Sequence, residues 1–189
     1  MLLSPLVLFI KILTVRLFPL LFLLLLTACD GNTELMKKVI DGEIGSVEQM
    51  LKQGESVNQR NNYGWTPLMH AARQGDAKMV KFLLDQGADA NAHDRDGWTA
   101  LIRSSVRGSP EVSALLIEHG AKLNHKTLFG WTALHWAVQR EQLEVTRMLV
   151  EKGADLQIRT NDGRSPMMIA ISEQYNDLML LLQKAGARP

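Results

Sequence analysis

Side chains with reactive chemistry are few in this chain. It holds five histidines and one cysteine in 189 residues. His119 and His125 fall near one turn. Two imidazoles with no thiol or carboxylate pair beside them make a poor zinc set, which needs three or four protein ligands. Asp94-Arg95-Asp96-Gly97 has the look of the opening of a calcium loop, but the downstream bidentate Glu is missing. No Gly-x-Ser-x-Gly elbow, His-Glu-x-x-His pair or phosphate loop is present. The expectation is a protein that is not an enzyme and needs no cofactor or metal. The chemistry left is that of contact. Trp65, Trp98, Trp131 and Trp136 are all four tryptophans of the chain, and arginines recur beside them. Trp, Tyr and Arg are the residues most enriched at interface hot spots.

The spacing of these residues shows what must position them. Gly64-Trp65-Thr66-Pro67-Leu68 recurs as Gly97-Trp98-Thr99-Ala100-Leu101 and Gly130-Trp131-Thr132-Ala133-Leu134. An altered copy is Gly163-Arg164-Ser165-Pro166-Met167. Each glycine lies 33 residues after the last, and Gly54, Gly87, Gly120, Gly153 and Gly186 keep the same step. A fixed period of this size marks stacked repeats. Thr66 is placed to cap a helix with Pro67 at its first position, where a missing N–H costs nothing. Leu68, Ala71 and Ala72 then face inward. Helices are expected over 34–41, 44–53 and 77–86, with Thr33 capping the first. Gly75 breaks the chain between the two helices of a unit, and Gly87 ends the second. The second unit departs most. Ser104-Ser105 replaces the alanine pair, Arg103 sits on the inner helix, and Ser109-Pro110 restarts the outer one. In the third, Glu141 takes the inter-helix glycine position, where left-handed geometry costs a non-glycine residue about 1–2 kcal/mol.

The period and the Gly-Trp-Thr-Pro/Ala-Leu-x-x-Ala pattern resemble the ankyrin repeat. The resemblance spans 34–189 and implies an all-α solenoid of helix-turn-helix units joined by β-hairpin loops. About five repeats result, near 34–60, 61–93, 94–126, 127–159 and 160–189, the outer two reading as caps. It also implies that His135 bonds backbone in its turn. In ankyrin proteins the hairpin tips and inner helices line a concave partner-binding face. The positions that fall there are Tyr63, Trp65, His70, Arg73, Trp98, Arg103, Arg107, Phe129, Trp131, Trp136 and Arg140. Arg103, Arg107 and Arg140 are expected to flank Trp131 and Trp136, so the partner should be a protein with acidic and apolar groups. The alternative is that the tryptophans only pack on neighbouring hairpins.

Residues 1–28 are foreign to the rest, with Lys11 and Arg16 and no acidic residue. Leu17 to Leu26 is an apolar run too short to span a bilayer by itself, and small residues follow it. This reads as a secretory signal. Leu26-Thr27-Ala28-Cys29 resembles the lipobox of bacterial lipoproteins. That implies cleavage before Cys29, acylation of its thiol, and a short tether at 29–33. An ordinary signal with an incidental cysteine is the alternative. Asp30 resembles the retention signal that holds such lipoproteins on the periplasmic face of the inner membrane. Removing 1–28 takes away two bases and no acid, so the net charge falls from +1 to −1. A nucleic-acid partner would need a basic excess. The free protein is expected to be a monomer.

A small ankyrin lipoprotein resembles the immunity proteins paired with type VI secretion phospholipase effectors, so a toxin lipase is the implied partner. A periplasmic scaffold or stress-protection helper for a resident enzyme is an alternative, and direct lipid binding is another. Met36 offers a second start that would give a leaderless cytosolic form with every full repeat.

Overall fold

The computed structural model describes residues 31–188. The signal segment 1–28, Cys29 and Asp30 lie outside them. Ten helices run in pairs among the described residues: α1 Glu34–Ile40 with α2 Ile44–Lys52, α3 Pro67–Gln74 with α4 Ala77–Asp85, α5 Ala100–Arg107 with α6 Pro110–Glu118, α7 Ala133–Gln139 with α8 Leu143–Glu151, and α9 Pro166–Ser172 with α10 Asn176–Lys184. Three helices end one residue before their expected limits, because Asp41, Gln53 and Gln86 serve as C-caps.

Each inner helix starts for the same local reason. The hydroxyls of Thr33, Thr66, Thr99, Thr132 and Ser165 accept from the backbone N–H three residues on, at 3.2–3.4 Å. Such a cap is worth about 1 kcal/mol. Inner helices α1, α3, α5, α7 and α9 pack in series, and α4, α6, α8 and α10 form a second row. The core lies between the rows, with Leu68, Leu101, Leu134, Val80, Leu83, Leu116 and Leu149 buried. Small residues let the inner helices approach. Where Ser104 and Ser105 replace alanine they are fully buried, and both hydroxyls reach the Leu101 carbonyl, at 2.9 and 2.8 Å.

Between the helices of a pair the chain turns through positive φ. Glu141 does so at φ 55°, as its register requires, and Gln174 does so at 61°. Gln174 is not among the sequence expectations, although it stands 33 residues after Glu141.

The connecting loops are tight turns rather than long hairpins. Among the described residues one isolated antiparallel bridge joins His93 and Thr99. In the first loop Asn61 N–H donates to Trp65 O at 3.0 Å, and Gly64 N–H donates to Asn61 O at 2.9 Å. The same two bonds recur at Asp94, Thr127 and Thr160. Adjacent tips are joined by backbone bonds from Arg95 to Tyr63 O, Leu128 to Asp96 O and Asn161 to Phe129 O. Gly97 must be glycine twice over. Its φ is +81°, and a Cβ there would meet the Thr127 Cα at 3.0 Å.

A second ladder holds the repeats near their outer ends. Asn58 and Asn91 each donate to the carbonyl of a helix-ending glycine in the next unit, Gly87 at 3.1 Å and Gly120 at 2.9 Å. Asn58, Asn91 and Asn124 also accept from Asp89, Lys122 and Asp155 N–H.

Candidate binding surface

The loop that precedes each inner helix is organised by one side-chain oxygen. Asn61 Oδ1 accepts from Tyr63 and Trp65 N–H, both at 2.9 Å. Asp94 Oδ1 accepts from Asp96 at 3.0 Å and Trp98 at 2.8 Å. Thr127 and Thr160 hydroxyls accept from Trp131 and Arg164 N–H at 3.2 and 3.0 Å. Asp94 thus works as a turn former. Its other oxygen lies 2.5 Å from Arg103 Nη2.

These turns aim four successive side chains along the stack: Trp65, Trp98, Trp131 and Arg164. The inner helices supply His70, Arg103, Trp136 and Ile169 at the matching register. Together they form one continuous belt. Arg73 lies 5.5 Å from the Trp65 ring centre. The Arg103 guanidinium is clasped between Trp65 at 3.5 Å and Trp98 at 4.8 Å. Trp98 meets Trp136 at 4.7 Å, and Trp136 meets Trp131 at 4.6 Å, both tilted. Arg164 closes the row 5.2 Å from Trp131. All four tryptophans are half-buried. Aromatic pairs and cation–ring contacts of this kind are each worth about 0.5–2 kcal/mol.

Arg103 and Arg107 turn toward the preceding unit, away from where the sequence places them. Arg103, expected beside Trp131 and Trp136, turns back to Asp94 instead, because the Asp94 carboxylate and the Trp65 and Trp98 ring faces stand within its reach. Its side chain is 13% exposed and that of Asp94 is 3% exposed. Burial pushes the Arg103 pKa down despite the opposing pull of Asp94. Arg107 is exposed, and its Nε donates to Gln74 O in the preceding unit at 3.3 Å. Arg140 is exposed as the C-cap of α7. The cation beside Trp131 is Arg164. Sequence reasoning misses it, although it occupies the tryptophan register. His70 is buried beneath Trp65, ring centres 4.9 Å apart, so it supports the surface instead of presenting itself. Tyr63 and Phe129 stand out at the loop tips, 54% and 66% exposed.

The histidines divide by burial. His135 is fully buried. Its Nδ1 lies 2.8 Å from the Thr132 hydroxyl, and its Nε2 donates to Arg164 O at 3.2 Å. Burial lowers its pKa to about 4, so it is neutral at physiological pH. His125 is stacked on His93 at 5.5 Å and bonds Gly97 O, while His119 lies at the end of α6. Beside the belt a groove of about 620 Å³ opens over Asn32, Tyr63, Trp65, Arg73 and Arg103. A hollow of about 560 Å³ on the outer row, between α8 and α10, holds no comparable group of ring and cation.

A stack of helix pairs with a continuous strip of tryptophan and arginine along its loop side defines a solenoid binding module. The family model described as "Ankyrin repeats (3 copies)" matches residues 24–127 and 115–189. The chain belongs to the ankyrin-repeat family, whose fold typically binds proteins and is not enzymatic. No curated protein matches it. Among the described residues no helix is long and apolar enough to cross a membrane.

Proposed function

We propose that this ankyrin-repeat protein is an immunity protein. It is held by acylated Cys29 on the periplasmic face of the inner membrane, and it captures and neutralises an antibacterial secreted effector such as a type VI phospholipase. The observation that carries the capture reading is the belt. Four half-buried tryptophans and three arginines are held in one row on a mature chain of net charge −1. Rings already locked by their neighbours lose little freedom on binding, which lowers the cost of association. Arg73 stands at the exposed end of the row and can pair with a carboxylate of the partner. The resemblance of small ankyrin lipoproteins to immunity proteins supports the choice of partner. A toxin that attacks lipids has to be met at the membrane.

The test begins with affinity capture of the lipidated protein and identification of what it holds. Calorimetry with that purified partner comes next. Trp136→Ala and Arg73→Ala should each weaken binding by roughly 2 kcal/mol if they are hot spots. Lys81→Ala, on the outer helix α4, should bind normally. Loss of binding in Lys81→Ala alone would move the working surface to the outer row. A captured partner without lipase or toxin activity would remove the immunity reading and leave the binding module.

A further inference from the structure

The four loop tips form one edge outside the belt of tryptophan and arginine. Backbone bonds tie tip 62–63 to 95–96, 95–96 to 128–129, and 128–129 to 161–162. Three of the six large apolar side chains that stand exposed among the described residues are on this edge. They are Tyr63 at 54%, Leu128 at 64% and Phe129 at 66%. Arg95 and Lys126 are exposed between them, and Asp96 is the one exposed acid on these three tips. The fourth tip is different. It carries Asn161 and Asp162, and Asp162 is paired with Arg164 at 2.7 Å.

The chain enters the fold along this same edge. Gly31 lies against Asn62, so closely that a Cβ on it would stand 2.5 Å from the Asn62 Cγ. Asn32 Oδ1 accepts from Asn61 Nδ2 at 2.7 Å, at the root of the first tip. Cys29 is two residues before Gly31, a reach of at most about 7 Å. An acyl chain on Cys29 therefore brings the first tip to the height of the lipid headgroups, and the rigid edge carries the next two tips with it.

We infer that the edge formed by tips 62–63, 95–96 and 128–129 docks on an anionic phospholipid surface. The inference rests on the acylation of Cys29 proposed for this chain, and it adds a fixed orientation to the anchored protein. Tyr63 and Phe129 fit the interface, where aromatic rings concentrate. Leu128 enters deeper. Arg95 and Lys126 meet lipid phosphates, each basic residue near an anionic surface being worth about fivefold in binding. The polar fourth tip lifts away. The belt, set back from the tips, then faces along the bilayer surface, open to a protein that works on lipids.

The experiment uses the full acylated chain in vesicles of phosphatidylethanolamine with phosphatidylglycerol. Acylation blocks the thiol of Cys29, the single cysteine of the chain. An introduced cysteine is then the only one to take a polarity-sensitive fluorophore. On Leu128→Cys the label should shift to the blue and be quenched by doxyl-labelled lipid. On Asp162→Cys and Lys81→Cys it should stay in water. Adding Arg95→Glu and Lys126→Glu to Leu128→Cys should shift the docked-to-undocked ratio by about 25-fold or more. A Leu128→Cys label that stays in water on protein still bound to vesicles overturns the inference. So does one that is shielded only when the captured partner is added, since the tips then belong to the protein interface. Failure of the anchor shows separately, as a second labelled site at Cys29 and release from the vesicles.

Discussion

Replacing Arg103 with Met is the sharpest probe of the belt. Methionine keeps the apolar stem and removes the guanidinium. Asp94, 3% exposed, then loses its cation. Breaking a buried pair in this way costs about 3–5 kcal/mol. The lower end applies here, because Asp94 Oδ1 keeps its N–H donors from Asp96 and Trp98. The contacts to the Trp65 and Trp98 rings add about 0.5–1 kcal/mol each at this exposure. The expected loss is about 4 kcal/mol, roughly 10 °C in Tm for a domain of this size. Burial outweighs Asp94 in setting the Arg103 pKa, which moves down. Asp94 therefore does not fully repay the burial of Arg103, and removing both charges should cost far less than removing one. Arg103→Met with Asp94→Asn should stand within about 1.5 kcal/mol of wild type, a coupling of at least about 2 kcal/mol. The assay is urea unfolding followed by tryptophan fluorescence, which reads the belt because all four tryptophans lie in it. Far-UV circular dichroism tracks the helices in parallel. A loss below about 1 kcal/mol for Arg103→Met, or additive single effects, would falsify the clasped geometry.

Other perturbations test other parts of the molecule. His135 has a folded pKa near 4 against an ordinary 6.5, so the unfolded chain takes up its proton first as pH falls. Its contribution is complete above pH 6.5 and is lost between there and pH 4, by about 3 kcal/mol. Urea midpoints across that range should drop in wild type and flatten in His135→Gln, and an equal drop in both would refute the assignment. Glu141→Gly and Gln174→Gly each relieve about 1–2 kcal/mol of left-handed strain against the entropy cost of glycine. A net gain of about 0.5–1 kcal/mol per site should appear in denaturant midpoints, and destabilisation would show that the side chains are needed there. Cys29→Ser should abolish metabolic lipid labelling, and a variant of wild-type mass still on the membrane would sink the anchor. A product started at Met36 would keep the full repeats but lose the Thr33 cap and Leu35, which is fully buried. It should be less stable by about 3 kcal/mol or more, measured on the purified short form.

Most of the fold was legible because each repeat is built from local rules. A threonine or serine hydroxyl accepting from the N–H three residues on starts every inner helix. The 33-residue step then copies that rule along the chain. The same step placed Glu141 in left-handed geometry and would have placed Gln174. It would also have found Asn58, Asn91 and Asn124, whose role depends only on the register between units. The site was legible by position and not by direction. Register put Arg103 on the correct stripe, but a long side chain on an inner helix can turn either way. The choice was made by Asp94 in the loop and by a ring from the preceding unit, neither of which the stripe reveals. Arg164 escapes notice because its unit lacks tryptophan, although the stripe counts places and not residue types.

The belt divides its labour between holding itself and meeting a partner. Arg103 and His70 are spent on the protein itself, one clasped and one buried. They hold Trp65 and Trp98 in place and offer a partner little. Trp136 is wedged between Trp98 and Trp131, and its buried Nε1 meets no acceptor among the described residues. The ring is therefore fixed by packing, not by a hydrogen bond. Exposed charge sits at Arg73, at the end of the row, and at Arg107 and Arg140. A partner meets a stiff apolar strip first and cations at its margin second. That order resembles the apolar centre and polar rim of protein interfaces. It also sets how variants must be compared. Changes at Arg103 act through stability, changes at Arg73 act through contact, and only binding measured on equally folded protein separates the two.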